Sequence, residues 1–352
     1  MLIYPGRKIY FRKKIMKNNV TQNDVAKAAG VTRSMVSYVI SGNADRSVAP
    51  ETRKRILEAI EKLDYRPNKA AQALQQGDIA FASKRIGVIL CNSSVFLRPY
   101  YSEIISGIHT AAHENNYSVG FIRFFSELKD PVLFNNLIHE EEVGGVILVA
   151  TDQVLNSESD WNIIEKIKSR LSKIVCVEWK CDGLSSVLFD RRETAQKAME
   201  FLYKKNYRDI GYIGMNDDRI AGVEKVLDMY KLDSSREKFV LGEAFNMKGG
   251  YDIAMKTEKF PRAVLCGSDE VAIGVLSALN KRKIAVPGDV ALMSIDNIES
   301  SAYTNPPLTT MNVQKKAMGE RAVEMIVKGT CGKGDDAISI MFPAGIVQRE
   351  SC

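Results

Sequence analysis

The sequence predicts a two-part protein, in which a small all-α head precedes a larger α/β region built from parallel sheets. The chain has 352 residues, which is more than one ordinary domain holds. Its first 69 residues combine a strong positive charge with short helical patterns. From Arg85 onward, short apolar runs alternate with helical stretches, which indicates parallel strands with helices on both faces.

Charge is divided unevenly along the chain. The whole chain has a net charge of +6, but residues 1–69 hold 15 Lys and Arg against 6 Asp and Glu. The head therefore has a net charge of +9 and the remainder a net charge of −3. A basic head indicates a polyanion as its partner, although charge alone leaves a merely solvated basic face open.

Composition and sequence pattern also indicate the cellular compartment of the protein. No stretch reaches the roughly 18 uninterrupted apolar residues of a membrane helix, and the N-terminus has no apolar run before a cleavage site. The six cysteines are scattered without a CxxC pair, which is typical of free thiols in a reducing compartment. We therefore expect a cytoplasmic protein with no membrane partner.

The head contains two short helical patterns on either side of Gly30, which supplies the left-handed conformation that ends the first helix. The apolar stripe of the first pattern consists of Val25, Ala26 and Ala29. Thr32 is the expected N-cap of the second, whose predicted buried side consists of Met35, Val36 and Val39. With a third helix from Pro50, this is the helix-turn-helix arrangement.

The other side of the second helix distinguishes this head from an ordinary bundle of three helices. It carries hydrogen-bonding or flat side chains with the reach to contact base edges and phosphates, namely Arg33, Ser34, Ser37 and Tyr38. The pattern therefore predicts that the head binds double-stranded DNA.

The segment from Tyr65 to Leu74 makes a resemblance specific. The order of a helix-turn-helix, the stretch VAPETRKRILEAIEKLDYRPN and a small-residue helix ending in leucine resembles the lactose/galactose repressor (LacI/GalR) family. The resemblance implies a hinge helix that folds on the operator, enters the minor groove and inserts Leu74 between base pairs. Without DNA, a flexible linker is the alternative, because so short a helix is marginal alone.

Two departures from the family leave the operator sequence open. Tyr38 stands where the family often has arginine, and Met35 stands where it often has threonine. The slightly longer loop 42–47 offers a phosphate contact through Arg46. The other residues that the resemblance adds to the expected DNA contacts are Thr21, Thr32, Asn68 and Ala71. Residues 1–16 lie outside the resemblance, which leaves open a start at Met1 or Met16 and a basic arm on DNA.

The large region shows strand-like apolar runs at Ile86–Cys91, Val119–Phe124, Gly145–Val149, Lys173–Glu178, Ile210–Gly214, Phe239–Gly242, Ala263–Gly267 and Ala291–Ile295. The resemblance extends over this region. It implies a periplasmic-binding-protein-like sensor of two doubly wound parallel-sheet subdomains around a cleft, with chain crossings near Tyr207, Met311 and Phe342.

The expected domains follow from these patterns. They are an N-terminal extension at 1–16, a helix-turn-helix domain at 17–66, a hinge helix and linker at 67–84, and an effector-binding domain at 85–352. Within the last domain, subdomain 1 is expected at about 85–206 and 312–341, and subdomain 2 at about 207–311 and 342–352.

The expected effector site lies at the carboxyl ends of the strands. The resemblance implies that Arg219, which opens an R-x-x-G segment, donates hydrogen bonds to the ligand and that the Asp296 carboxylate accepts them from sugar hydroxyls. The complete expected set is Phe96, Tyr100, Trp179, Asp190, Arg219, Phe245, Ser268, Asp269 and Asp296. A surface ion pair for Arg219 and a core position for Trp179 are the alternatives. Ser268, where the lactose repressor has asparagine, leaves the ligand open.

The resemblance implies a homodimeric repressor of carbohydrate-utilisation genes, controlled by a small sugar-like effector. A nucleobase or protein co-repressor remains an alternative, as does a higher oligomer. A transport-type solute-binding protein would have no use for the head. No G-x-G-x-x-G after the first strand, P-loop, G-x-S-x-G or zinc motif indicates an enzyme. His109 and His113 are four residues apart without a third ligand, so we expect no metal, no cofactor and no catalytic residue.

Overall fold

The computed structural model describes residues 20–41, 48–63, 65, 84–234 and 240–352. By its contacts, the chain divides into two compact units, Met1–Gly77 with Asp130–Leu137 and Asp78–Lys129 with Ile138–Cys352. Among the described residues, none of the helices combines the length and the apolar character that crossing a membrane requires.

The head contains the helices α1 (Gln22–Ala29), α2 (Arg33–Ser41) and α3 (Pro50–Lys62). Thr21 and Asp24 form a capping box at the start of α1, since the Thr21 hydroxyl accepts from the Asp24 amide at 3.3 Å and the Asp24 carboxylate accepts from the Thr21 amide at 2.8 Å. Gly30 ends α1 with a φ of 64°, the left-handed conformation that the sequence predicts.

The buried side of α2 is narrower than the sequence predicts. Val36 and Val39 are buried in a core whose other members are Val25, Ala26, Ala29, Ile56, Ala59, Ile60, Tyr65 and Val132. Met35 is 41% exposed, so its expected place in the core is wrong. One residue along a helix is a rotation of about 100°, which carries Met35 away from the side that Val36 and Val39 occupy.

The strands of the described chain are β1 (Arg85–Leu90), β2 (Ser118–Phe124), β3 (Gly145–Val149), β4 (Ile174–Val177), β5 (Ser185–Phe189), β6 (Ile210–Gly214), β7 (Val240–Glu243), β8 (Ala263–Cys266), β9 (Ala291–Asp296), β10 (Thr309–Asn312), β11 (Ser339–Phe342) and β12 (Gly345–Val347). The remaining helices are α4 (Pro99–Glu114), α5 (Pro131–Leu137), α6 (Glu158–Arg170), α7 (Arg191–Lys204), α8 (Asp218–Met229), α9 (Met247–Lys256), α10 (Asp269–Lys281) and α11 (Lys315–Lys328).

These strands form two six-stranded sheets, and the predicted pair of doubly wound α/β subdomains is confirmed. The first sheet has the order β11-β5-β4-β3-β1-β2, with every pair parallel. The second has the order β12-β10-β9-β8-β6-β7, parallel except for β12 beside β10. The sequence patterns did not predict β5, β10, β11 or β12, because these strands are short and outside the clearest apolar runs.

The chain crosses between the sheets at points that differ in part from expectation. The helix α7 packs on α8 and contacts β8, β9 and β10, so it belongs with the second sheet. The first crossing therefore lies between β5 and α7, ahead of the expected position near Tyr207. The helix α11 packs against α4 and β4 of the first sheet, which places the second crossing after β10. The third lies between β11 and β12.

Candidate functional site

A cavity of about 440 Å³ is lined by residues that follow strands of both sheets. From the segments that follow strands of the first sheet come Arg98, Tyr100, Tyr101, Asp152, Gln153, Glu178 and Arg191. From those of the second sheet come Met215, Asp217, Arg219, Ala244, Phe245, Gly267, Ser268 and Asp296. Ligands of open α/β sheets bind at such carboxyl ends, so this cavity is the candidate effector site.

The structure brings together five of the nine expected effector residues. Those that line the cavity are Tyr100, Arg219, Phe245, Ser268 and Asp296. The other four, Phe96, Trp179, Asp190 and Asp269, are not part of its lining.

Asp269 holds the second sheet together. Its carboxylate accepts hydrogen bonds from the Ser294 hydroxyl at 2.5 Å, the Thr310 hydroxyl at 2.6 Å and the Ile298 amide at 2.7 Å. These bonds tie the start of α10 to β9, to the loop after β9 and to the start of β10. Because both carboxylate oxygens are engaged and the side chain is fully buried, Asp269 is a scaffold residue, not a wall of the cavity.

Trp179, Asp190 and Phe96 also have partners away from the cavity. Trp179 is buried, and its indole Nε1 donates to a backbone carbonyl of β3 at 3.1 Å. Asp190 caps α7 by accepting from the Glu193 amide at 2.8 Å. The ring of Phe96 packs edge to face on Phe124 with centroids 5.9 Å apart. Sequence order alone does not show on which side of a strand end a side chain lies.

Three arginines of the cavity wall are paired with carboxylates. Arg98 contacts Glu270, and Arg191 contacts Glu178 with Nη2 at 2.9 Å from Oε2. Arg219 pairs with Asp217 in the loop before α8. Among these residues, only Arg219 was predicted from the sequence.

Arg98 and Glu270 belong to opposite halves of the cavity. Arg98 precedes α4 of the first sheet, whereas Glu270 lies in the first turn of α10 in the second half. The Arg98 Nε is 2.8 Å from Glu270 Oε2, and its Nη2 donates to the Phe245 carbonyl at 3.3 Å. This guanidinium therefore joins the two halves across the cavity.

Asp296 ends β9 with an unusual backbone and an unpaired carboxylate. Its φ is 123°, a conformation that side chains other than glycine rarely adopt. The residue is buried, and no hydrogen bond from the described residues reaches its carboxylate oxygens. Burial, followed by the nearby Asp269 charge, raises the pKa of Asp296 well above its ordinary value. Lys315 secures the turn by donating to the Asp296 carbonyl at 2.5 Å.

Other buried polar atoms around the cavity also lack partners within the described chain. They are the Tyr100 hydroxyl, Glu178 Oε1 and Arg219 Nε. Buried polar groups in native proteins are hydrogen-bonded in the great majority of cases. A ligand with several donors and acceptors would therefore satisfy groups that the protein leaves open.

Several residues of the wall were not predicted from the sequence. They are Arg98, Asp152, Gln153, Glu178, Arg191 and Asp217. Each lies in a segment that follows a strand, so listing the polar residues after each predicted strand would have found most of them. Glu178 and Arg191 follow β4 and β5, and β5 was not predicted.

The predicted DNA-contacting residues of the head are accessible to different degrees. Thr21, Thr32, Arg33 and Ser34 are exposed, and Ser37 and Tyr38 are half-buried. The Arg33 Nε donates to Gln22 Oε1 at 3.3 Å, which links α2 to α1. Residues 1–16, Arg46 and the hinge with Asn68, Ala71 and Leu74 lie outside the described residues.

The described part of the chain offers neither a metal-ligand cluster nor a disulfide bond. It contains no group of three or more His, Cys, Asp or Glu side chains placed to hold a metal ion. All six cysteines are free, and all but Cys352 are buried.

Two protein-family models match the chain. The model for "Bacterial regulatory proteins, lacI family" matches residues 21–68, which include α1, α2 and α3. The model for a "Periplasmic binding protein-like domain" matches residues 199–352.

Similar whole proteins include transcriptional repressors. The HTH-type transcriptional repressor PurR of Actinobacillus pleuropneumoniae serotype 3 (strain JL03) is 28% identical over 319 residues, covering 88% of this chain and 90% of the repressor. The repressor PurR of Proteus mirabilis (strain HI4320) is 27% identical over 344 residues, covering 94% of this chain and 96% of the repressor.

Solved structures share the fold at lower identity. The complex of transcriptional regulator CelR with cellobiose has a TM-score of 0.63 at 20% identity, covering 95% of this chain and 100% of CelR. The lac repressor dimer bound to operator and the anti-inducer ONPF has a TM-score of 0.63 at 21% identity, covering 94% of this chain and 98% of the repressor.

Proposed function

Since the chain belongs to the lacI family of bacterial regulatory proteins, we propose that it is a homodimeric repressor whose operator affinity is set by a neutral, hydroxyl-rich effector in the cavity. It is a DNA-binding transcriptional regulator and not an enzyme. A protein that acts on chromosomal operators works in the cytoplasm, which we propose as its location.

The observation that carries the effector proposal is the buried, unpaired carboxylate of Asp296 in the cavity wall. A carboxylate accepts two or more hydrogen bonds, and vicinal hydroxyls of a sugar supply two donors side by side. Glu178 Oε1 offers another acceptor, while Arg219 Nε offers a donor to a ring or hydroxyl oxygen. The cavity wall therefore offers both acceptors and donors for the hydroxyl groups of a polyol.

Charge argues against an anionic effector such as a phosphorylated sugar. The guanidiniums of Arg98, Arg191 and Arg219 each pair with a carboxylate of the chain. The wall also contains the carboxyl groups of Asp296 and Asp152, and neither supplies a positive charge. Among the described wall residues, a ligand phosphate would therefore compete with carboxylates for arginines that are already paired, whereas a neutral sugar needs no free cation.

A planar nucleobase is the second candidate. The rings of Tyr100 and Tyr101 meet edge to face with centroids 5.3 Å apart, and Phe245 lines the same cavity. Aromatic faces of this kind stack on a planar ring as well as on the apolar face of a sugar. The name PurR describes those relatives and not this chain. A binding experiment distinguishes a nucleobase from a sugar.

The Arg98–Glu270 pair supports a mechanism for the switch. A ligand that binds residues of both halves favours the closed cavity, in which this pair also forms. A difference in affinity between two states is the only means by which a ligand shifts their populations. A coupling of about 1–3 kcal/mol between effector and operator changes DNA affinity about 5- to 150-fold.

A thermal-shift screen of neutral sugars, sugar phosphates and nucleobases tests the proposed effector. A ligand that binds only the folded chain raises its melting temperature. We expect neutral sugars to give the largest shift and the variant Asp296→Ala to lose it. A shift with nucleobases alone supports the second candidate, and a shift with sugar phosphates that survives in Asp296→Ala contradicts both.

A further inference from the structure

Met35 is an exposed apolar side chain in the first turn of the helix that contributes the DNA-facing residues. It is 41% exposed, and its neighbours Thr32, Arg33 and Ser34 are exposed polar residues. The residues that the same helix contributes to the core of the head are Val36 and Val39. Met35 therefore contributes little to the core and stands on the accessible surface of α2.

The position of Met35 along α2 matters as much as its exposure. The helix begins at Arg33, and the Thr32 hydroxyl accepts from the Met35 amide at 3.4 Å, which fixes this first turn. In helix-turn-helix proteins the first residues of the second helix contact base edges in the major groove. Met35 is the third residue of α2 and the one apolar side chain among its first three.

The bases offer one apolar group in the major groove, the C5-methyl group of thymine. Every other base-edge group there that distinguishes the pairs is a hydrogen-bond donor or acceptor. A thioether side chain is flexible and forms no strong hydrogen bond, so it fits a methyl group better than any polar edge. The positively charged head supplies the general attraction to DNA but no preference for sequence.

We propose that Met35 contacts a thymine methyl group in each operator half-site and thereby selects thymine at that position. This inference rests on the proposed function as a DNA-binding repressor. It assigns to Met35 a role in sequence selection, beside the hydrogen bonds expected from Arg33 and Ser34. Burial of one methyl group changes affinity about fourfold, equivalent to about 0.8 kcal/mol.

The test begins with selection of operator duplexes from random sequences by the full-length chain. Each thymine of the selected half-site is then replaced by deoxyuridine, which removes the methyl group and leaves the hydrogen-bonding edges unchanged. Fluorescence anisotropy compares the wild type, Met35→Ala and Met35→Leu on these duplexes. Met229→Ala is the matched control, because Met229 is also exposed but ends α8 in the other unit.

We expect one deoxyuridine position per half-site that weakens wild-type binding about fourfold and leaves Met35→Ala binding unchanged. Met35→Leu and Met229→Ala should keep the wild-type discrimination. Equal loss for the wild type and Met35→Ala at every thymine, or no loss at any, overturns the role of Met35 while leaving the repressor proposal intact. Failure of the wild type to enrich any sequence overturns the repressor proposal and, with it, this inference.

Discussion

Arg98 and Glu270 pair across the effector cavity, with the Arg98 Nε 2.8 Å from the Glu270 Oε2. Their side chains are 23% and 6% exposed, so the pair is shielded from water on most sides. Arg98 also lines the cavity and contacts the Phe245 carbonyl. The same guanidinium therefore helps to hold the two halves together and forms part of the ligand-binding wall.

Glu270→Gln should weaken effector binding about tenfold, because the closed cavity loses a charge-assisted hydrogen bond that the open one does not make. Isothermal titration calorimetry with the sugar found in the thermal-shift screen measures this loss. Arg321→Gln is the control, since its pair with Glu324 is exposed on α11 and contributes little. Unchanged affinity in Glu270→Gln would show that closure does not depend on this pair.

Asp296→Asn should stabilise the ligand-free protein while removing its effector response. Burial raises the folded-state pKa of Asp296, so the folded protein binds this proton more tightly than the unfolded chain. The unfolding free energy of the wild type therefore falls as pH rises between the ordinary and the raised pKa, whereas asparagine carries no such proton.

Melting temperatures of the wild type and Asp296→Asn, measured at several pH values, test the direction of this pH dependence. The variant should melt higher at about pH 8, and the difference should shrink towards about pH 5. Each kcal/mol corresponds to about 2–4 °C for a domain of this size. A difference that grows on acidification would contradict the assigned environment of Asp296.

Asp269→Asn should destabilise the protein by about 2–4 kcal/mol. Asparagine keeps only one accepting oxygen, so its amide nitrogen would face either the Ile298 amide or the hydroxyls of Ser294 and Thr310, which donate to different oxygens of this carboxylate. Urea unfolding measures the loss, and Asp252→Asn on the exposed surface of α9 is the control. If Asp269→Asn instead keeps full stability and loses only effector binding, the scaffold role assigned here is wrong.

Arg33→Ala should reduce affinity for the selected operator by about 1–3 kcal/mol if Arg33 contacts a base, with a smaller effect on random DNA. The accessible position of Arg33 at the start of α2, beside Gln22, is the structural reason. Anisotropy titrations on both duplexes make the comparison. Equal losses on the two would identify Arg33 as a phosphate contact, and Arg33→Ala would then also lower the salt dependence of binding.

The sequence predicted those parts of the fold that local patterns determine. Gly30 marked the end of α1, and apolar runs marked the central strands, because each signal lies within a few residues. Local patterns did not predict that α7 belongs to the second sheet. That assignment depends on packing against α8 and against β8 to β10, which lie further along the chain.

The same limit applies to the site. Asp296 was predicted as a ligand contact and lines the cavity, yet Asp269 was predicted equally and is engaged by three donors of the scaffold. Arg98 and Glu270 are 172 residues apart in sequence, and no local pattern indicates that they meet. Convergence of distant side chains is a property of the folded sheets, not of any segment.

The link between the cavity and DNA binding is the central part of the proposed function. Titration of the selected operator against the full-length wild type, with and without saturating effector, measures that link directly. We expect the effector to change operator affinity about 5- to 150-fold in the wild type and to have no effect in Asp296→Ala, whose affinity without effector should equal that of the wild type. Operator affinity that is the same with and without a ligand shown to occupy the cavity would contradict the account.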